Sequence, residues 1–266
     1  MKPVRVTDLA RLRREGQKIA VVTAYDYTSA LLVDASSVDV LLVGDSLGNT
    51  MLGYETTIPV SLEEMCHHVR AVRRGVRRAL LVADLPFGSY QTSVDEAVRS
   101  AVTLLKAGAD AVKLEGGRPI VPAVQRMVQV GIPVMGHLGF TPQSVHAMGG
   151  YRVQGRGESA RERLLDEATA LAAAGAFAIV LELVPAPVAA AITEQLAVPT
   201  IGIGAGRACS GQVLVWQDLL GLTSGEPKRF VKPYADLAGQ IGRALGAYAD
   251  EVRSGQFPDD AHSFPE

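Results

Sequence analysis

Short apolar runs alternate with amphipathic stretches from one end of the sequence to the other. The runs at residues 19–24, 38–43, 79–84, 111–115, 132–137, 177–182, 200–203 and 212–216 are bounded by turn residues. That pattern marks strands buried on both faces, as a parallel sheet requires. Helical periodicity fills the gaps at 27–35, 62–74, 94–107, 120–130, 158–174 and 187–196, with a short segment near 218–222 and a last helix at 234–253. A first helix at about 6–15 precedes the first strand. Eight strands alternating with helices, without a linker or a break in composition, predict an α/β fold: a single (βα)8 TIM barrel over residues 1–266 with a flexible tail near 254–266. An open doubly wound sheet is the alternative, and it would gather its ligand residues at one switch point.

Five of the runs lead to an ionisable side chain: Asp45 (through Gly44), Asp84, Glu115 with Lys113 inside the run, His137 and Glu182. One such group at the carboxyl end of a strand is ordinary. Five in succession describe a ring of chemistry at the carboxyl face of a barrel. The segment Ala107-Gly108-Ala109-Asp110-Ala111-Val112-Lys113-Leu114-Glu115 is echoed by Ala174-Gly175-Ala176-Phe177-Ala178-Ile179-Val180-Leu181-Glu182. Equal register predicts Glu115 and Glu182 at one height, with Asp45 a candidate for the same tier and Lys113 on the face of Glu115. The long connections 46–61 and 138–157 follow strand carboxyl ends and are expected to form lids or binding loops.

Composition narrows the class. The chain has 266 residues, 48% hydrophobic and 20% charged, with a net charge of −2, as expected of a soluble globular enzyme. The cluster Arg70, Arg73, Arg74, Arg77 and Arg78 lies in a helical stretch and reads as a solvated face or subunit contact rather than a nucleic-acid site. Cys66 and Cys209 are far apart in sequence and suggest no disulfide framework, which fits a reducing cytoplasm. No stretch reads as a signal peptide or a membrane span.

Asp45, Asp84 and Glu115 offer hard oxygen ligands from adjacent strands, suited to Mg²⁺. Three carboxylates converging without a cation would repel one another. Taken singly, Asp45 and Asp84 could cap the next turn or helix, and Glu115 could pair with Lys113. Lys113 supplies positive charge for a substrate carboxylate; a Schiff-base role is the rival, disfavoured by the neighbouring acids. Glu182, farther round the ring, suits a general base, its pKa raised by burial among Ile179, Leu181 and Leu183. His137 is a proton relay or a hydrogen-bonding wall. The run Gly202-Ile203-Gly204-Ala205-Gly206 could bind phosphate or serve close packing.

Several motifs together resemble the ketopantoate hydroxymethyltransferase family over about residues 6–250. They are Thr23-Ala24-Tyr25-Asp26, Val43-Gly44-Asp45-Ser46-Leu47-Gly48, Ala83-Asp84-Leu85-Pro86-Phe87 and Val112-Lys113-Leu114-Glu115-Gly116-Gly117. Gly136-His137-Leu138-Gly139, Thr141-Pro142-Gln143-Ser144, Gly149-Gly150-Tyr151, Pro199-Thr200-Ile201-Gly202-Ile203-Gly204-Ala205-Gly206 and Gly211-Gln212-Val213-Leu214-Val215-Trp216 complete the set. The resemblance implies a phosphoenolpyruvate/pyruvate-type barrel that assembles as a homo-oligomer, by family habit a decamer. It implies Asp45, Asp84 and Glu115 as ligands of one Mg²⁺ per subunit. Asp45, Ser46, Asp84 and Lys113 would contact the 2-oxo acid, with His137 beside them, and Glu182 would be the proton acceptor. The implied reaction transfers a one-carbon unit from 5,10-methylenetetrahydrofolate to 3-methyl-2-oxobutanoate, giving 2-dehydropantoate for pantothenate synthesis. The alternatives are a Mg²⁺-dependent 2-oxo-acid lyase or mutase of the same barrel type, and a non-catalytic metabolite-binding barrel. Asn49-Thr50, Leu183 and Ser210 depart from the pattern expected of the family, at positions outside the proposed metal and base.

Overall fold

The computed structural model describes residues 2–223, 225–226 and 228–265. Within the first compact unit, Met1–Val215, the strands β1 (Ile19–Thr23), β2 (Val40–Val43), β3 (Leu80–Asp84), β4 (Ala111–Glu115), β5 (Val134–Gly139), β6 (Ala178–Glu182), β7 (Thr200–Ile203) and β8 (Gly211–Leu214) pair in parallel. They close in chain order into one barrel. The α/β barrel expected from the alternation is therefore the fold. Around it run α1 (Val6–Arg14), α2 (Tyr27–Ala35), α3 (Leu47–Thr50), α4 (Leu62–Gly75), α5 (Val94–Ala107), α6 (Val121–Gln129), α7 (Glu158–Ala173) and α8 (Ala186–Gln195).

Local chemistry explains the boundaries. Asp26 accepts from the Ser29 N–H at the start of α2, Ser61 from Glu64 at α4, and Ser93 from Glu96 at α5, satisfying first-turn donors that have no helical partner. Strand β5 begins two residues later than expected, because Pro133 has no N–H to give a ladder, and it runs on to Gly139. Strand β8 stops at Leu214, two residues short of the expected end. The stretch expected as one helix at 120–130 opens with a 3-10 turn, Arg118–Ile120, ahead of α6. The arginine cluster is partly spent on the scaffold: Arg73 pairs with Asp110 and bonds the Val76 carbonyl, and Arg78 bonds the carbonyls of Ser36 and Val38.

Val21, Val40, Val82, Met135, Val180 and Ile201 fill the barrel interior. They share one parity with the ladder partners Lys113↔Met135 and Glu115↔His137, so the polar groups at the strand ends cap the same inward column. The intervening residues, such as Leu41, Leu81, Leu114 and Leu181, are fully buried on the opposite face of the sheet, beneath the helices.

The second compact unit is Trp216–Glu266. It contains α9 (Trp216–Leu220) and α10 (Leu237–Ser254), the latter capped by the Asp236 carboxylate. The segment expected as a flexible tail carries a 3-10 turn, Asp260–His262, and Phe257 meets the rings of Tyr248 and His262, each at 5.7 Å between centroids. No helix among the described residues is long and apolar enough to cross a membrane.

Candidate active site

Barrel closure staggers neighbouring strands by about one residue, and that stagger sets which strand ends meet. Glu115 pairs with His137, and His137 with Val180. The β6 residue level with Glu115 is therefore two beyond Val180, which is Glu182. By the same step His137 is level with Asp84, whose partners run through Lys113 to Met135. Lys113 lies one place deeper, as a floor. The shared tier expected for Glu115 and Glu182 is present, but Asp45 does not belong to it. The inward parity of β2 runs Val40, Leu42, Gly44, so Gly44 holds the tier position and offers no side chain. Asp45 reaches the site because the chain turns after Val43 into α3.

Asp45, Asp84, Lys113, Glu115 and His137 are all buried, none more than 5% exposed. Lys113 Nζ lies 3.1 Å from Asp84 Oδ1, and the Asp45 N–H donates to Asp84 Oδ2 at 3.1 Å. His137 spans the two glutamates, with Nδ1 3.3 Å from Glu115 Oε1 and Nε2 3.3 Å from Glu182 Oε2. Nδ1 also lies 3.3 Å from Lys113 Nζ. An ammonium has only protons to offer, so the two glutamates, not Lys113, are what can balance a protonated ring. Glu182 is the most open of the set, with 12% of its side chain exposed. Ile179 and Leu181, expected to surround its carboxyl, are buried on the opposite parity, under the helices.

The backbone around Glu182 is tightly held. Its carbonyl accepts the Phe140 N–H at 2.8 Å. A Cβ on Gly139 (φ +94°) would stand 2.2 Å from that carbonyl oxygen, so only glycine admits this approach of β5 to β6. Leu183 follows at φ +48°, a left-handed conformation costly for a bulky residue. It is clamped by Leu183 N–H to the Ile203 carbonyl and Gln154 N–H to the Leu183 carbonyl, both 2.9 Å.

The charges are coupled. Burial, together with the charges of Glu115 and Asp84, holds the Asp45 carboxyl well above the usual carboxylate range. Burial also raises Asp84, and the Lys113 ammonium only partly offsets it. For Glu115 burial is outweighed by His137 and Lys113, which pull it below the ordinary value. Burial opposes the Lys113 charge, yet Asp84, Glu115 and Asp45 hold the ammonium above its ordinary value. For His137, burial and Lys113 oppose protonation, but Glu115 and Glu182 prevail and raise it to about 9. The imidazole is therefore charged at neutral pH. Four carboxyl groups face two cations here, and a further cation would relieve the burial and repulsion that raise Asp45 and Asp84.

The donor set fits Mg²⁺. All the acids are hard oxygen donors, and Asp84 Oδ1 and Glu115 Oε1 are buried with no aligned hydrogen bond despite their charged neighbours. Among the described residues, no three His, Cys, Asp or Glu side chains come close enough together to wrap a metal unaided. Mg²⁺ does not require that: it is commonly held by one or two carboxylates and keeps several waters.

Several residues at the site carried no assigned role in the sequence reading. Tyr25 is fully buried, and its Oη lies 2.8 Å from Ser46 Oγ; burial raises the phenol to about 12, so it stays neutral. Tyr90 is buried beside Glu115, and burial and that charge likewise raise its pKa. Gln143 sits in the 3-10 turn Pro142–Ser144 after β5, within a stretch expected to be loop. The cue was present, in a proline setting the turn just past a strand carboxyl end, but nothing in the sequence says which way the amide points. In the run Gly202–Gly206, Gly202 packs on Cys209 and Gln212, and Gly206 on Ala186, which is the close-packing use.

Comparisons with known proteins identify the family and the fold. A family model described as ketopantoate hydroxymethyltransferase matches residues 3–260. The 3-methyl-2-oxobutanoate hydroxymethyltransferase of Carboxydothermus hydrogenoformans is 55% identical over 265 residues, covering 99% of this chain and 96% of that protein. That of Syntrophus aciditrophicus is 56% identical over 254 residues, covering 95% and 93%. Among solved structures, a phosphonopyruvate hydrolase complexed with oxalate and Mg²⁺ superposes with a TM-score of 0.63 at 13% identity, covering 99% of this chain and 92% of that one. A 2,3-dimethylmalate lyase of the PEP mutase/isocitrate lyase superfamily does so with a TM-score of 0.60 at 18% identity, covering 98% and 91%. At that identity, the likeness establishes the barrel fold.

Proposed function

Because this chain belongs to the ketopantoate hydroxymethyltransferase family and is an enzyme of that activity, we propose that it converts 3-methyl-2-oxobutanoate to 2-dehydropantoate at the carboxyl mouth of the barrel, with Glu182 as the base. The one-carbon donor in this reading is 5,10-methylenetetrahydrofolate, and the reaction belongs to pantothenate synthesis in the cytoplasm. Relatives above 50% identity over nearly the whole chain favour this over the lyase, mutase and binding-barrel alternatives.

The observation that carries the mechanism is the buried line Glu115–His137–Glu182, ending at the most exposed carboxylate of the set. Asp45, Asp84 and Glu115 would hold Mg²⁺ between them, one or two directly and the rest through its waters. Bound there, the ion would draw electron density from the 2-oxo group and make the C3 proton more acidic. Lys113 supplies fixed positive charge for the substrate carboxylate, and its short reach to Asp84 keeps it from nucleophilic use. Ser46, steadied by Tyr25, orients the oxo acid. Glu182 removes the C3 proton, and the charged imidazole of His137, 3.3 Å away, holds its carboxylate by ion pairing. The resulting enolate carbon forms the new C–C bond to the one-carbon unit, whose two C–N bonds to the folate break; tetrahydrofolate leaves, and water supplies the hydroxyl oxygen of the product. Exposed Tyr27, Leu31 and Leu32 on α2 are compatible with assembly as a homo-oligomer.

The test follows the C3 proton of 3-methyl-2-oxobutanoate in D₂O by NMR. Positioned acid–base catalysis contributes roughly 10²–10⁴-fold. Glu182→Gln is therefore expected to bind the oxo acid normally by calorimetry while losing Mg²⁺-dependent exchange by about that factor. Near-normal exchange in this variant would sink the assignment of the base. Product formation with and without methylenetetrahydrofolate tests the donor.

A further inference from the structure

Gln143 is 4% exposed and stands where the loop after β5 meets the acids of β2 and β4. Its backbone N–H donates to Glu115 Oε2 at 3.0 Å. Its side-chain Nε2 donates to Asp45 Oδ2 at 2.8 Å and to the Leu85 carbonyl at 2.9 Å. Its Oε1 faces two donors, Tyr90 Oη at 2.6 Å and Gln91 Nε2 at 3.1 Å. A primary amide has two N–H groups and two carbonyl lone pairs, and all four are used here. The orientation is therefore fixed. A flipped amide would set its oxygen against Asp45 Oδ2 and the Leu85 carbonyl, and an N–H against the Gln91 Nε2 donor.

We infer that Gln143 is a positioning residue for the reaction, a single side chain and its own backbone N–H that together hold Asp45 and Glu115 at the spacing needed for a hydrated divalent cation and the oxo acid. This rests on the reading of those acids given above. Both carboxylates receive an N–H on one oxygen only from this residue, so each is oriented while its other oxygen remains outside the contact. Asp45 needs such a guide more than its neighbours do. It lies beyond the end of β2 and off its inward parity, so no strand ladder aims its side chain. Tyr90 completes the device, because its hydroxyl also accepts the Glu115 N–H at 3.2 Å and so ties the amide to β4.

The experiment compares the unsubstituted enzyme with Gln143→Met, which keeps the backbone N–H and an unbranched side chain of similar length but has no side-chain N–H for Asp45. The readouts are Mn²⁺ binding by calorimetry, KM for the oxo acid, C3 exchange and thermal unfolding. Outer partners of metal ligands typically contribute 10–100-fold in affinity or activity. The expected result is Mn²⁺ and oxo-acid affinity lowered by about 10-fold or more in a protein that still unfolds cooperatively. Tyr90→Phe preserves the shape and removes only the hydroxyl, so it covers the case in which the first variant does not fold. It should shift the same two affinities in the same direction by a smaller factor, and the double variant should lose less than the product of the two. Unchanged Mn²⁺ affinity and KM in a folded Gln143→Met protein, or in Tyr90→Phe if that protein alone folds, would overturn the role of Gln143 while leaving the reaction assignment intact. Absence of metal-dependent exchange in the unsubstituted enzyme would instead overturn the assignment, and this role with it.

Discussion

At the scale of single residues, the site depends as much on where side chains are missing as on where they stand. Gly44 occupies the inward position at the head of β2, and a Cβ there would lie 2.8 Å from Ser46 Oγ and 3.4 Å from Asp84 Oδ2. Gly44→Ala is expected to fold, since a serine hydroxyl can rotate away. The rotation, however, breaks the Tyr25–Ser46 contact and crowds Asp84. Oxo-acid affinity should fall roughly ten-fold with little change in Tm, as calorimetry and a melting curve on one sample would show; unchanged affinity would mean that the space beside Asp84 is not used. The acids and the histidine were legible because each ends or directly follows an apolar run, and Lys113 because strand period two puts it on the face of Glu115. Gln143 and Tyr90 were not, since they lie past strand ends, where no periodicity applies. The same break in periodicity misplaced Asp45 into a tier it does not share.

At the scale of elements, the question is what fixes strands whose ends carry buried charge. Strand β3 brings Asp84, and its entry is clamped by Asp34 from the last turn of α2. That carboxylate accepts the N–H groups of Arg77 and Ala79 at 2.8 and 2.7 Å, and that of Arg78 at 2.9 Å. Burial alone would raise the Asp34 pKa, but the three backbone donors more than offset it and the net shift is downward. A lowered carboxyl contributes stability that is fully present above its unfolded value of about 3.9 and is lost as pH falls through the folded one. Melting temperature should therefore drop as pH is taken below about 4. Asp34→Asn should lower Tm at pH 7, by an amount corresponding to about 1–3 kcal/mol for an unsatisfied buried donor, and should flatten part of the acid limb. An unchanged acid limb would show that the clamp titrates elsewhere. Helix starts were readable from Asp26, Ser61 and Ser93, and the barrel from the alternation of elements. Strand limits at Pro133 and Leu214 shifted because ladder partners, not composition, decide where a strand begins and ends.

At the scale of the whole molecule, the groups of the proposed site are shared out around the ring: Asp45 comes from the turn after β2 and Asp84, Lys113 and Glu115 from β3 and β4, while His137, Gln143 and Glu182 come from β5, β6 and the loop between. Anything that binds this assembled mouth and not the unfolded chain stabilises the fold by RT ln(1 + [L]/Kd), about 2.7 kcal/mol at a hundred-fold excess over Kd. Mg²⁺ and 3-methyl-2-oxobutanoate added together should raise Tm by more than the sum of their separate effects, since the oxo acid offers oxygen ligands to the ion and the ion offers positive charge to the oxo acid. Differential scanning calorimetry with and without a chelator checks this, and merely additive shifts would separate the two sites.

The hydrogen bond from Gln143 to Asp45 joins residues 98 positions apart in the chain. Contacts of such long sequence separation carry the largest loop-closure cost and are slow to form. A nascent chain emerging from the ribosome presents Asp45, Asp84 and Lys113 before His137, Gln143 and Glu182 have been made. The polypeptide becomes an enzyme only when its later half has been made and folded back onto the earlier one. Turnover is thus a clock for completion: the first product molecule dates the moment at which the ring has closed.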